Sequence, residues 1–122
     1  MPPRLHKIAL VSDDVEGAVR FYTEKLGMRV LERFPVEDDE DYVFLDAGAI
    51  ILELMPQKSA RQEPGFHHIS FEADDIEDAA DTLREKGVPI LKAPFAVGGG
   101  TGIRLSFFEG PDRLNLQLFQ RD

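Results

Sequence analysis

Short stretches in which neighbouring side chains alternate in character predict β-strands at several points of the chain. The first covers residues 5–12. Apolar residues then recur at helical spacing over residues 15–26, and Asp13 or Asp14 can accept hydrogen bonds from the first turn of that helix. Gly27 can end it, since glycine readily adopts the conformation that follows a helix. The chain therefore opens with a strand and then a helix.

The same order of elements recurs further along the chain. A second helix is predicted over residues 76–86, ending at Gly87. The polar stretch 57–65 reads as a linker, and the acidic run 37–41 as a solvated loop. The remaining predicted strands cover residues 29–34, 42–47, 49–55, 66–73, 89–93, 103–108 and 115–120. Each half therefore has the order βαβββ.

The two halves are also similar in sequence. HKIALVSDDVEGAVR at residues 6–20 aligns with HHISFEADDIEDAAD at residues 67–81. Self-similarity of this kind indicates two copies of one supersecondary unit. We therefore predict one α+β domain made of module one (4–56), a linker (57–65) and module two (66–121).

Composition excludes several classes of protein. The chain has 122 residues, of which 43% are hydrophobic, so a packed core can form. It has no cysteine, which excludes disulfides and thiol catalysis and favours a cytoplasmic location. The net charge of −9 argues against nucleic acid as a partner. No apolar run is long enough to span a membrane, and no signal peptide is recognised at the start.

Sorting side chains by strand face identifies candidate functional residues. Neighbouring residues of a strand point to opposite faces, and one face of each strand is mostly aliphatic. The other face carries a polar residue at an equivalent place in four strands: Lys7, Glu53, His68 and Gln117. Two come from each repeat, so pseudo-symmetry is expected to bring the four together.

Three segments carry a resemblance to a known superfamily. FYTEKLGMRVLER at 21–33, HISFEADDIE at 68–77 and FFEGPDRLNLQLFQ at 107–120 resemble the vicinal oxygen chelate proteins. These include glyoxalase I, methylmalonyl-CoA epimerase, extradiol dioxygenases, and fosfomycin and bleomycin resistance proteins. The resemblance implies two βαβββ modules whose mixed sheets form a cupped half-barrel. It also implies a homodimer and a site for a small molecule, often with a metal held by one residue from the first and last strand of each module.

The resemblance carries over to particular residues. Glu53, His68 and Gln117 match three of the metal-ligand positions, although the last is usually glutamate. Lys7 stands at the first position, where the family has histidine. His6 is one residue away and would point to the wrong face unless a bulge shifted the register.

Two interpretations of the site remain open. One divalent ion (Zn, Ni, Co, Mn or Fe) could be bound by Glu53, His68 and Gln117, although an adjacent ammonium would repel it. Alternatively, Lys7 replaces the metal and pairs with Glu53, and the absence of metal is slightly favoured. Four further residues are candidates for substrate binding: Phe107, Phe119 and Met55 as apolar lining, and Arg104 for an anionic group.

Two functions follow as hypotheses. The first is a glyoxalase-like lyase or isomerase that moves a proton next to a carbonyl group, with Glu53 as general base and Lys7 or a metal as electrophile. The second is a metal-free protein that sequesters a ligand, as bleomycin resistance proteins do. The acidic charge is compatible with a cationic ligand. The identity of the substrate lies beyond the sequence.

Overall fold

The protein is described from a computed structural model that covers residues 2–122. The chain folds into two compact units. The amino-terminal unit is Lys7–His67, and the carboxy-terminal unit is His68–Asp122 together with residues 2–6. The first strand therefore contributes residues to both units.

The amino-terminal unit contains a four-stranded mixed sheet. Its strand order is β2-β3-β4-β1, with β1 parallel to β4 and the other neighbours antiparallel. Its elements are β1 (Arg4–Ser12), α1 (Val15–Glu24), β2 (Arg29–Phe34), β3 (Tyr42–Asp46), β4 (Ile51–Pro56) and the short helix α2 (Gln57–Ala60).

The carboxy-terminal unit has the same plan. Its strand order is β5-β8-β7-β6, with β5 parallel to β8 and the other neighbours antiparallel. Its elements are β5 (Gly65–Glu72, whose residues 65–67 belong to the amino-terminal unit), α3 (Ile76–Glu85), β6 (Ile90–Ala96), β7 (Ile103–Glu109), a 3-10 turn (Pro111–Arg113) and β8 (Asn115–Arg121). The predicted α+β class and the repeated βαβββ order are confirmed.

Both long helices start at an aspartate, as the sequence predicts. The Asp14 carboxylate accepts a hydrogen bond from the Gly17 amide at 2.9 Å, and the Asp75 carboxylate accepts one from the Asp78 amide at 3.1 Å. Asp14, rather than Asp13, is therefore the residue that caps α1. Gly27 follows α1 with a φ of +73°, a conformation that glycine adopts without a steric cost.

The ends of several elements shift by one to three residues, and the largest shift extends β6 from the predicted 89–93 to Ile90–Ala96. Two other local details differ from the sequence prediction. Residues 57–60 of the predicted linker form α2. The strand predicted to start at residue 49 begins at Ile51, because residues 46–50 form a turn in which the Ala47 amide bonds to the Ile50 carbonyl at 3.0 Å. Neither difference changes which face a strand residue occupies.

Each helix packs on the aliphatic face of its own sheet. In the amino-terminal unit Val15 and Val19 of α1 join Leu54 in one buried cluster, and in the carboxy-terminal unit Ile76 of α3 joins Leu118. Burial of a leucine side chain stabilises a fold by about 2 kcal/mol. The opposite face of each sheet carries the predicted polar residues and does not pack against the helix of its unit. Within residues 2–122 no helix is long and apolar enough to cross a bilayer.

Candidate functional site

The amino-terminal unit buries an ion pair on the face that turns away from α1. The parallel register of β1 and β4 sets Lys7 opposite Ile51 and Ala9 opposite Glu53, so Lys7 and Glu53 emerge on the same side. The Lys7 Nζ lies 3.4 Å from Glu53 Oε1, and the two side chains are 2% and 11% exposed. The structure therefore brings together the two residues predicted to carry the chemistry.

Aromatic rings lie next to this ion pair. Phe44 stands opposite Glu53 in the β3–β4 ladder, and its ring centroid is 5.9 Å from Lys7 Nζ. The Phe34 ring packs edge-on against Phe44 with a centroid separation of 4.8 Å. Both charges are thus held beside apolar surface, where electrostatic forces are stronger than in water.

Burial and charge act in opposite directions on the Lys7 ammonium. Removal from water lowers the pKa of Lys7, and the Glu53 carboxylate partly offsets this by stabilising the positive charge. An ammonium that is poorly solvated interacts strongly with any oxygen that acquires negative charge nearby. The Lys7 ammonium can therefore stabilise negative charge that develops beside it.

Two further ionisable groups respond to the charge of Glu53. Burial raises the pKa of Tyr42, and Glu53 adds to this increase. Burial lowers the pKa of His67, and Glu53 opposes this decrease. The sequence analysis did not single out Tyr42, although it lies two residues before Phe44 and therefore shares its face.

The equivalent face of the carboxy-terminal unit is neutral. His68, Ser70 and Gln117 are 2%, 0% and 3% exposed, so polar groups are buried here too. The Ser70 hydroxyl donates a hydrogen bond to Gln117 Oε1 at 2.8 Å. Ser70 was not among the predicted site residues, although its spacing of two from His68 places it on the same strand face.

Aromatic side chains surround this neutral face. Phe107 is paired with Gln117 in the β7–β8 ladder, and its ring centroid lies 6.4 Å from that of His68. Phe119 lies two residues beyond Gln117, and its ring centroid lies 4.5 Å from that of His6. The predicted apolar role of Phe107 and Phe119 is compatible with these positions.

The other predicted residues occupy different surroundings. Met55 is buried beside Ala9 and Val11, on the same face as Glu53. Arg104 instead alternates with Phe107 along β7, is on the opposite face, and pairs with Glu77 of α3. The structure therefore does not bring Arg104 together with Gln117. No bulge interrupts the β1–β4 pairing from Lys7 to Ser12, so the position predicted for a ligand is held by Lys7 and not by His6.

The residues do not fit a tightly bound divalent metal. Glu53 already faces an ammonium at 3.4 Å, and a second cation there would be repelled by Lys7. The oxygen of Gln117 already accepts a hydrogen bond from Ser70. In the described part of the chain, no three His, Cys, Asp or Glu side chains are grouped in a way that could hold a metal ion.

Comparison with known proteins identifies the family. The model of the Glyoxalase/Bleomycin resistance protein/Dioxygenase superfamily matches residues 4–118. The chain belongs to this superfamily. The resemblance carried by the three segments is thereby confirmed, together with the fold that it implied.

Individual superfamily members match over most of the chain. It is 33% identical to the uncharacterized protein YwkD of Bacillus subtilis, with 96% of each chain covered. It is 27% identical to a probable lactoylglutathione lyase of Synechocystis, over 95% of this chain and 93% of the relative. A methylmalonyl-CoA epimerase solved with methylmalonyl-CoA and NH4+ superimposes with a TM-score of 0.80 at 25% identity, covering 99% of this chain and 96% of that one.

Some superfamily relatives are longer than this chain. It spans 35% to 44% of three plant proteins that are named as lactoylglutathione lyases or as probable or putative ones. The relatives that carry an enzyme name are thus lactoylglutathione lyases and a methylmalonyl-CoA epimerase, the two enzyme types that the sequence resemblance implied.

Proposed function

We propose that this protein moves a proton at a carbon atom next to a carbonyl group. Glu53 would act as the general base, and the Lys7 ammonium would polarise the carbonyl oxygen. The observation that carries this proposal is the buried pair of Lys7 and Glu53, with 3.4 Å between Nζ and Oε1. A base and an electrophile side by side are what enolate formation requires.

The proposed reaction balances without any further reactant. The C–H bond breaks, its proton moves to the Glu53 carboxylate, and its electron pair moves to the carbonyl oxygen. The Lys7 ammonium stabilises the oxyanion that forms. Return of the proton from Glu53 to the same face of the same carbon regenerates the reactant. Return to the opposite face, after the enolate has turned over in the site, gives epimerisation, and return to the neighbouring carbon gives isomerisation.

We further propose that Lys7 takes the place of the divalent metal expected from the family. The lysine supplies a positive charge on a fixed side chain, and no cation has to be recruited. The similar epimerase structure contains NH4+ together with its substrate, and Lys7 carries the same charged group covalently attached. That likeness supports an ammonium as a cation compatible with this fold.

Solvent exchange of the α-proton tests the proposal. Hemithioacetals and acyl-CoA esters would be incubated with the protein in deuterated water and followed by proton NMR. Glu53→Gln removes the base and should slow exchange by about 100- to 10,000-fold. The matched control is Glu63→Gln, which removes an exposed carboxylate from the same unit and should leave exchange unchanged.

Circular dichroism must first show that Glu53→Gln is folded, because the substitution also separates a buried ion pair. Equal exchange by the folded Glu53→Gln variant and the wild-type protein would overturn the role of Glu53. Tight ligand binding by the wild-type protein without exchange of any α-proton would instead favour the sequestering function.

A further inference from the structure

The pairing of β6 with β7 is irregular and changes the face on which Lys92 lies. Ile90 pairs with Phe108 of β7 and packs with it in the buried cluster that α3 covers. Lys92, two residues after Ile90, pairs with Phe107, so the register shifts between the two pairs. Residues two apart in a regular strand share a face, whereas the extra residue of a bulge changes the face that follows it. Lys92 therefore lies on the face opposite to Ile90, together with Phe107.

A second register shift in β6 brings the Lys92 side chain onto an aromatic ring. Phe95 lies three residues after Lys92, and residues three apart in a regular strand point to opposite faces. Phe95 pairs with Leu105, which shares the face of Phe107, so the shift puts Lys92 and Phe95 on one face. Lys92 Nζ lies 4.0 Å from the centroid of the Phe95 ring, which is 6.1 Å from that of Phe107. A cation–π contact thus holds the ammonium beside two aromatic rings.

The backbone of Lys92 is anchored by a buried side chain of β7. The Ser106 hydroxyl donates a hydrogen bond to the Lys92 carbonyl at 2.7 Å, and Ser106 is 0% exposed. A bulge interrupts the ladder of backbone hydrogen bonds, and the serine gives this carbonyl a donor. The position of Lys92 is therefore fixed by the strand itself.

Lys92 stands at the end of a row of residues that crosses the polar face of the carboxy-terminal unit. Phe107 pairs with Gln117 of β8, and Gln117 pairs with Ser70 of β5. Lys92 is exposed and Phe107 is half-buried, whereas Gln117 and Ser70 are buried. The neutral centre of this face thus has a cation and apolar rings at its edge. A carboxylate can bind to the ammonium while an attached apolar group covers the rings.

We propose that Lys92 binds the carboxylate of an organic acid whose apolar part lies on the rings of Phe95 and Phe107. Arg104, which the sequence analysis assigned to an anionic group, is on the opposite face and pairs with Glu77. Lys92 is the cation that the irregular pairing places beside Phe107. This binding site belongs to the carboxy-terminal unit, and it does not depend on the reaction proposed above.

Two small probes test the site by NMR titration of the whole protein. Phenylacetate carries a carboxylate and a phenyl ring, whereas phenylacetamide has the same ring without the charge. Shifts of the assigned backbone amides of Lys92, Phe95 and Phe107 report binding. Since a hydrogen bond between two charged groups is stronger than one to a neutral group, the wild-type protein should bind the acid about tenfold more tightly than the amide.

Substitutions at exposed lysines separate the role of Lys92 from that of net charge. Lys92→Gln should abolish the preference for the acid, and Lys92→Arg should retain it. The matched control is Lys86→Gln, which removes an exposed lysine at the end of α3 in the same unit and changes the net charge equally. This variant should keep the wild-type preference.

Several outcomes would overturn the proposal. Equal binding of the two probes by the wild-type protein, or no shift at Lys92 and Phe107 with phenylacetate, would exclude a site for an organic acid on this face. A preference that persists in Lys92→Gln would assign the acid to another cation, and one that is lost equally in Lys86→Gln would assign it to net charge. The titration needs no turnover, so its result is separate from whether Glu53 exchanges an α-proton.

Discussion

The two repeats place different chemistry at the same position. Lys7 and His68 occupy equivalent positions in the first strand of their respective repeats. Glu53 and Gln117 occupy equivalent positions in the last strand of each repeat. In the amino-terminal unit they form a buried ion pair, whereas in the carboxy-terminal unit Gln117 accepts a hydrogen bond from Ser70. A duplicated scaffold can thus keep its helix-facing core while its other face diverges from charged to neutral.

The charged and the neutral face also differ in how their buried polar groups contribute to stability. A neutral hydrogen bond contributes about 1 kcal/mol to stability, whereas a buried charge is tolerated only because a partner neutralises it. The stability of the charged face therefore depends on keeping both Lys7 and Glu53. The neutral face should lose less stability when one hydrogen-bonding partner is removed. Substitutions in the two units should expose that contrast.

The largest effect is expected when the ion pair is broken from one side. Lys7→Met leaves the Glu53 carboxylate buried without its cation and should lower the free energy of unfolding by about 3–5 kcal/mol. Urea denaturation measures this. The double variant Lys7→Met/Glu53→Leu removes both charges and should regain most of the loss. If Lys7→Met alone is as stable as the wild-type protein, the pair is not buried as described.

A smaller effect is expected on the neutral face. Ser70→Ala removes the hydroxyl that donates to Gln117 Oε1 and should cost about 1–2 kcal/mol in the same urea assay. Ser70→Thr keeps the donor and serves as the matched variant. A cost as large as that of Lys7→Met would contradict the contrast between the two faces.

The smallest effect concerns pH and His67. Burial holds the pKa of His67 below its ordinary value of 6.5, so below pH 6.5 the unfolded chain binds a proton that the folded protein resists. Stability should therefore fall as the pH drops through 6.5 toward the lower folded pKa. His67→Gln should show a shallower decline between pH 7.5 and 5.5 in thermal melts, and an identical decline would exclude this contribution.

Much of the fold could be predicted because each local signal agreed with the others. Alternation marked the strands, Asp14 and Asp75 marked the helix starts, and the internal repeat showed that one half predicts the other. The face carrying Lys7 and Glu53 followed from strand periodicity alone. These features depend on short-range geometry, which follows from the order and spacing of residues along the chain.

Other features depend on contacts that sequence spacing does not encode. The hydrogen bond from Ser59 to Asp39 joins a helix and a loop, and nothing in the spacing of the two residues indicates it. The pairing of Arg104 with Glu77 likewise depends on how α3 lies on β7. Hydrogen bonds between distant side chains are fixed by packing, so they become visible only in the folded chain.

Because the first strand is divided between the two units, a single break in the chain cannot yield a complete carboxy-terminal unit. Arg4, which pairs with Glu72 and Asp74, and His6, which stacks on Phe119, belong to the unit formed mostly by the second half of the chain. A gene fragment that begins at residue 66 would lack both. The smallest complete carboxy-terminal piece is therefore discontinuous in the gene. A circular permutant that joins the present ends would make it continuous.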